Sequence, residues 1–380
     1  MNVLITGGAG FIGTHTARAL HEAGHSVRVL DVLDPQVHGR DADFPEPLQA
    51  IAECMRGDVR EVDDCTRALE SMECVFHFAS RTGVGQSMYD LGDYVGDNVL
   101  GTASLIEAIV KARIELKRFV LASSRAIYGE GMFHCDVHGA IHPSVRDPAA
   151  MRKADFSMHC PHCAAVMSAL PTPTGCPAEP LSVYAITKKQ QEDYCQYASR
   201  TFGLPLTILR YFNVYGSGQS LQNPYTGVIS IFYSMLREGR AISLYEQGLP
   251  LRDFVHVSDV VSANLLAMNE SLASSSVFNV GTGVAVTIRE VAQAQAHAMG
   301  VHAILEERGE YRIGDVFACY ADLADSRKIL AYEPKVDLLG GVREFVAWAD
   351  QQKAVNQYDK AVAELRAHGL FGSAAEKTGP

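Results

Sequence analysis

The chain has 380 residues, 47% of them hydrophobic, and a formal net charge of −11 at pH 7. That length fills one large core or two moderate ones, and the acidic balance excludes nucleic acid as the main partner, because phosphate backbones are bound by clustered cations. No apolar run is long enough to span a bilayer and no basic-then-apolar signal opens the chain, so the nine cysteines read as reduced thiols or metal ligands in a soluble cytoplasmic enzyme with no membrane partner.

Short apolar runs alternate with helical patterns through the first half. Asn2–Thr6, Ser26–Asp31, Cys74–Ala79, Arg118–Ser123 and Leu206–Phe212 read as buried strands, each bounded by turn or polar residues. Between them Phe11–Ala23, Val62–Met72, Asp97–Lys111 and Tyr184–Thr201 space their apolar residues at helical intervals. This alternation predicts an α/β fold, a doubly wound Rossmann parallel sheet with ligands at the carboxyl ends of its strands. From Phe133 to Ala178, His, Cys and Pro are interleaved with little periodicity, as in an inserted loop module. Past Phe212 the pattern loosens: Val228–Arg237 and Val286–Met299 read as helices, Ser243–Tyr245 and Phe254–Val257 as short strands. The expected organisation is a Rossmann domain over residues 1–212, interrupted by a Cys/His-rich insert at 133–178. A smaller mixed α/β substrate domain follows over 213–352, with some segments returning to the sheet, and a helix and tail over 353–380.

Thr6-Gly-Gly-Ala-Gly-Phe-Ile-Gly13 follows the first strand and opens the first helix. Gly7 allows the tight turn, Gly10 lets backbone N–H groups at Phe11 and Ile12 approach a pyrophosphate, and Gly13 lets the helix pack closely on the sheet. The spacing Gly-x-x-Gly-x-x-Gly departs from the dehydrogenase pattern Gly-x-Gly-x-x-Gly and is weak alone. Its strand–turn–helix setting strengthens it, as does Asp31 at the end of the second strand. A carboxylate there accepts hydrogen bonds from the adenosine ribose and repels a 2′-phosphate, which favours NAD over NADP. Asp58-Val59, after a third strand, reads either as an adenine contact or as a solvated turn.

Cys135-x-x-His138 and Cys160-x-x-Cys163 form two knuckles in the insert, three thiolates and one imidazole that suit a tetrahedral structural zinc. Reduced cysteines without metal are the alternative. His134, His142, His159 and His162 are alternative ligands, and Cys176 is spare. Tyr184 and Lys188 lie four apart on one helix face, where a cation lowers a phenol from about 10 toward the working pH and makes it a general base. Ser124 ends a sheet strand, where a hydroxyl faces a nicotinamide. Together the three residues suit removal of a proton from a sugar alcohol as hydride leaves its carbon.

With these motifs the chain resembles the extended short-chain dehydrogenase/reductase family, in its sugar-nucleotide epimerase/dehydratase branch, up to about Trp348. The resemblance also takes in His77-Phe-Ala-Ser80, Asn98-Val-Leu-Gly-Thr102, Arg210-Tyr-Phe-Asn213, Arg252-Asp-Phe-Val-His256, Asn279-Val-Gly-Thr282 and Arg312-Ile-Gly-Asp315. It implies cofactor contacts at Phe78, Ala79, Ser80 and Asn98. It further implies a nucleotide-sugar substrate whose diphosphate and ribose are held by Asn213, Arg252 and Arg312, with Asp315 beside them. A homodimer through the helices near Asn98–Lys111 and Tyr184–Thr201 is implied as well.

Dehydratases and decarboxylases of that branch carry acids after the serine or threonine. Here Arg125 and Ala126 stand there, which favours 4-epimerisation. The loops Gly83–Tyr89, Asn213–Gln219 and Asn223–Gly227, with the cysteine-bearing insert, are most similar to dTDP-L-rhamnose 4-epimerases. That similarity implies interconversion of dTDP-L-rhamnose and dTDP-6-deoxy-L-talose, with Gln86, Ser87 and Tyr225 on sugar hydroxyls. UDP-glucose 4-epimerisation or another NAD-dependent dehydration is the alternative reaction. An NAD-sensing scaffold is the non-enzymatic alternative, disfavoured because Ser124, Tyr184 and Lys188 are all present.

Overall fold

Val3, Leu4 and Ile5 carry no polar alternation and all are fully buried, so their strand must be covered on both faces. In the computed structural model, which describes residues 1–40, 42–221, 223, 227–352 and 358–374, this strand, β1 (Asn2–Thr6), lies inside a seven-stranded sheet. The others are β2 (Ser26–Asp31), β3 (Glu53–Arg56), β4 (Cys74–His77), β5 (Arg118–Ser124), β6 (Leu206–Tyr211) and β7 (Ser276–Val280). Every pairing is parallel and the order is β7-β6-β5-β4-β1-β2-β3. Thr6 stands level with Leu30 and with His77, and Ser124 with Tyr211. The carboxyl ends therefore meet along one edge, and the strand order reverses between β1 and β4, where a crevice opens.

Helix α1 (Phe11–Glu22) packs Ala17 and Leu20 on one face of the sheet beside α2 (Val257–Ala267). The opposite face is covered by Val62–Leu69, Gly101–Lys111 and Val183–Phe202, through Leu69, Leu105, Ile109, Cys195 and Ala198. The helix Val183–Phe202 is capped by Ser182, whose hydroxyl accepts from Ala185 N at 3.2 Å, and it ends at Gly203 in the left-handed region. A third core joins Val228–Arg237, Ile288–Met299 and Leu338–Ala349.

The differences from the sequence reading have local causes. β3 is short and partly exposed and β7 carries a buried Asn279, so neither shows as an apolar run. The helix expected from Val286 starts at Ile288, because Val286–Thr287 pair with Leu251–Arg252 and Thr287 forms a capping box with Glu290. The strand expected at Ser243–Tyr245 is Ile242–Leu244, paired with Leu305–Glu307. Val95–Leu100 wind as a π-helical turn that buries Asn98. The insert is more than a loop: Met132–Cys135 pairs antiparallel with Gly139–Ile141 and Ser168–Leu170, with Phe133 and Cys135 inward and His134 outward. Among the described residues no helix is long and apolar enough to cross a membrane.

Candidate active site

The glycine loop is shaped by close approaches. Gly7 has φ +68°, and a Cβ there would lie 2.6 Å from Ala79 N. A Cβ on Gly13 would lie 2.6 Å from both Gly7 O and Gly8 Cα. No side chain caps the N-terminus of α1 at Gly10, so its first N–H groups, at Phe11 and Ile12, are available to an anion. Asp31 is 8% exposed. Its carboxylate accepts from Ala9 N at 3.0 Å and Leu33 N at 2.9 Å, which sets it at the end of β2 beside the loop. Each oxygen retains a lone pair for a ribose hydroxyl.

After β4, Phe78 N donates to Thr6 O at 3.0 Å and Ala79 N to Thr6 Oγ1 at 3.3 Å. This sets the backbone of Phe78 and Ala79 directly against Gly7, with Ser80 following. His77, buried between Thr6 and Thr102, is pushed down to about 3 by desolvation and then by Lys188, so it stays neutral. Asn98 binds its own protein: its Oδ1 accepts from Arg81 N at 2.7 Å, and its Nδ2 donates to Arg81 O at 3.1 Å and Thr187 Oγ1 at 2.9 Å. It ties the loop after β4 to the helix carrying Tyr184. Asp58 is held by Arg60 and Val59 packs against Gly101, an arrangement that fits a turn.

Ser124 ends β5, and its Oγ accepts from Ala126 N at 3.1 Å, opening a short 3₁₀ turn over Arg125–Tyr128. The Ser124 hydroxyl lies close enough to the Tyr184 phenol to favour its ionised form. Lys188, 3% exposed, donates from Nζ to Ala122 O at 2.9 Å. Burial pushes this ammonium down to about 7, partly opposed by the Glu192 carboxylate. Burial raises Tyr184, and the Ser124 hydroxyl and the Arg125 guanidinium lower it. Arg125, read from sequence only as a missing acid, is thus the cation facing the phenol. Glu192 is also new: it accepts from Ser123 Oγ at 2.5 Å and from Arg210 Nε at 2.9 Å and NH2 at 2.8 Å. The triad's strand and helix are thereby locked from behind.

Beyond Arg125 lies a cluster of guanidinium groups around Asp315. Arg252 donates to Asp315 Oδ1 and to Phe317 O, both at 3.1 Å. Arg312 stacks on Tyr245 at 4.7 Å from the ring centroid. The fields of Arg252, Arg312, Arg125 and Arg146 all act on Asp315 and hold its carboxyl below the usual range. Arg125 NH1, Arg312 Nε and Asn213 Oδ1 are buried polar atoms with no protein partner. The two open guanidinium donors, beside a surplus of cations, suit phosphate oxygens, while Asn213 Oδ1 is an open acceptor. The sugar contacts expected at Gln86 and Ser87 are engaged internally: Gln86 with Gln36 and Asp90, Ser87 Oγ donating to Val84 O at 2.7 Å. Tyr225 lies outside the described residues.

In the insert the four side chains named from spacing converge. Cys135 Sγ lies 3.6 Å from His138 Nδ1 and 3.6 Å from Cys163 Sγ, and Cys160 Sγ lies 3.4 Å from His138 Nδ1. All four ligand atoms fall within 4.8 Å of one another. His142 instead bonds Tyr128 O and Glu130 O, and His159 bonds Asp155. Cys176 is buried in the main core.

A dinucleotide crevice beside a Ser–Tyr–Lys constellation defines a Rossmann enzyme that handles a hydride and a proton together. The model of the NAD dependent epimerase/dehydratase family matches residues 3–145 and 149–281. A dTDP-L-rhamnose 4-epimerase of Burkholderia thailandensis is 35% identical over 92% of this chain and 95% of its own. A putative UDP-glucose 4-epimerase of Methanocaldococcus jannaschii is 31% identical over 91% of this chain and 97% of its own. The structure of the Thermus thermophilus UDP-glucose 4-epimerase, a complex with NAD, aligns with a TM-score of 0.73 at 30% identity, over 93% of this chain and 100% of that one. The chain belongs to the NAD dependent epimerase/dehydratase family and is an enzyme of that family.

Proposed function

We propose that the protein is an NAD-dependent 4-epimerase of a nucleotide sugar, acting through a 4-keto intermediate. The observation that carries this reading is the Ser124–Tyr184–Lys188 set at the crevice, followed by Arg125 and Ala126 where dehydration needs acids. The cofactor fits the residues present: an uncapped helix N-terminus for a pyrophosphate and the Asp31 carboxylate for a ribose diol. Bound there, NAD supplies a hydride acceptor that returns the hydride in the same turnover.

Tyr184 takes the proton from the C4 hydroxyl, and Ser124 holds that oxygen beside the phenol. Arg125 stabilises the phenolate as it forms. The Arg252–Asp315 pair, Arg312 and Asn213 hold the diphosphate end while the keto sugar turns. Tyr184 then returns the proton to the oxygen on the epimeric carbon. The B. thailandensis relative supports dTDP-L-rhamnose and dTDP-6-deoxy-L-talose as the pair interconverted, and the arginines fit the diphosphate of either base. The M. jannaschii relative supports UDP-glucose and UDP-galactose as the second reading.

The Cys135/His138/Cys160/Cys163 quartet is assigned a structural zinc. A homodimer is supported by the exposed row Leu100, Ile186, Tyr194 and Tyr197 on the two helices named for it. The test is separate incubation with dTDP-L-rhamnose and UDP-galactose, with sugar analysis of the products. Formation of the 6-deoxytalose isomer is expected; conversion of the UDP-sugar alone overturns the substrate choice.

A further inference from the structure

The metal quartet and the arginine cluster are two sides of one wall. A tetrahedral ion with thiolates at about 2.3 Å and an imidazole at about 2.0 Å spaces its ligands by about 3.5–3.8 Å. Three of the six separations, 3.4 to 3.6 Å, are close to that spacing, and all six lie within 4.8 Å. The mini-core behind the quartet has six buried members, Phe133, Cys135, Met158, Cys160, Met167 and Ala318. Two of the six, Cys135 and Cys160, are ligands. So small an apolar cluster gains little from burial alone, and a metal supplies the missing cross-link.

The sixth member, Ala318, belongs to the substrate side. Its strand, Ala318–Cys319, pairs with Leu251–Arg252, so that Cys319 stands level with Arg252. Gly131 N, next to the insert, donates to Ala318 O at 2.8 Å. The Glu130 carboxylate accepts from Phe317 N at 2.8 Å and Ala318 N at 3.2 Å. Arg146, from within the insert and 7% exposed, reaches Glu246 at 2.5 Å, Glu130 at 3.4 Å and Asp315 O at 3.0 Å. Asp315 and Phe317 O, together with Leu251 O at 2.9 Å, aim the Arg252 guanidinium. The mini-core holds no residue of the Gly7–Gly13 loop or of β2.

We propose that a zinc ion held by Cys135, His138, Cys160 and Cys163 is a positioning element for the nucleotide end of the substrate. It fixes the Glu130–Arg146 wall that aims Arg252 and Asp315, and leaves the dinucleotide crevice independent. This rests on the nucleotide-sugar reading of the arginine cluster.

The test uses full-length protein purified without a His-tag. Metal content, NAD released by acid, and affinity for UDP and for dTDP by calorimetry are measured before and after chelation, then after zinc is restored. About one zinc per chain is expected. Chelation weakens nucleoside diphosphate binding by about tenfold or more, leaves bound NAD unchanged, and is reversed by zinc. Arg146→Met keeps the zinc and shows the same weakening, and Cys163→Ser shows it through metal loss. If that cysteine variant does not fold, chelation and restoration of the native chain decide.

Metal-free protein with full nucleotide affinity, or chelation that leaves that affinity unchanged, overturns the proposal. So does loss of NAD in parallel with nucleotide affinity. Failure of the 4-epimerase reading looks different: no turnover of any sugar offered, with metal-dependent UDP or dTDP binding intact.

Discussion

Replacing Lys188 with Met removes a buried ammonium and keeps the length of its stem. In the folded chain burial brings Lys188 from the ordinary lysine range down to about 7. A displacement of that size, with the opposing Glu192 carboxylate already included, means the charged form is disfavoured by roughly 5 kcal/mol. The sign follows from proton counts. Between about pH 7 and pH 10 the unfolded chain holds a proton on this lysine that the folded chain has released, so stability rises with pH across that window. The penalty is full below it. Methionine carries no such penalty, so Lys188→Met unfolds at higher urea than the parent at about pH 6. By about pH 9 its advantage shrinks by up to roughly 3 kcal/mol. Turnover falls in the same variant. The assay is a pair of urea titrations at each pH with NAD held at equal saturation. A stability difference that is the same at both pH values refutes the reasoning, since it would mean that the lysine stays charged in the folded chain.

The remaining predictions concern the crevice and its supports. Tyr184→Phe lowers turnover by about 10²- to 10⁴-fold while acid-released NAD per chain is unchanged; undiminished turnover would remove Tyr184 from its role. In Gly13→Ala the added methyl meets Gly7 O and Gly8 Cα at 2.6 Å, both backbone atoms, so the purified protein carries little NAD. Full NAD content in that variant would show that the loop gives way. Asn98→Ala strips hydrogen bonds from Arg81 and Thr187 and destabilises the fold by about 2–3 kcal/mol, read as a lower urea midpoint, with kcat reduced as the Tyr184 helix loosens.

What was legible in the sequence was local. The glycine loop, Asp31, Ser124, Tyr184 and Lys188 sit at fixed distances along the chain from a strand end or a helix start, so spacing alone announces them. The two cysteine knuckles were visible for the same reason. Arg146 was not: its partners Glu246 and Asp315 lie 100 and 169 residues away. Arg210 and Glu192 sit on a strand and a helix whose pairing only the fold reveals. Spacing of four puts Tyr184 and Lys188 on one helix face, but it does not reveal that the ammonium donates to Ala122 O across the sheet edge. Gln86 and Ser87 turn their polar atoms to Gln36, Asp90 and Val84 O, partners that loop polarity alone does not reveal.

In the proposed reaction hydride leaves C4 and returns to C4 within one turnover, with Tyr184 moving the proton. The direct measurement is the fate of deuterium placed at C4 of the nucleotide sugar, read by mass spectrometry and NMR of the product. Full retention of deuterium at C4 of the epimer, with none gained from heavy water, is predicted. Deuterium recovered at C6 with loss of water, or accumulating in reduced cofactor, would contradict it.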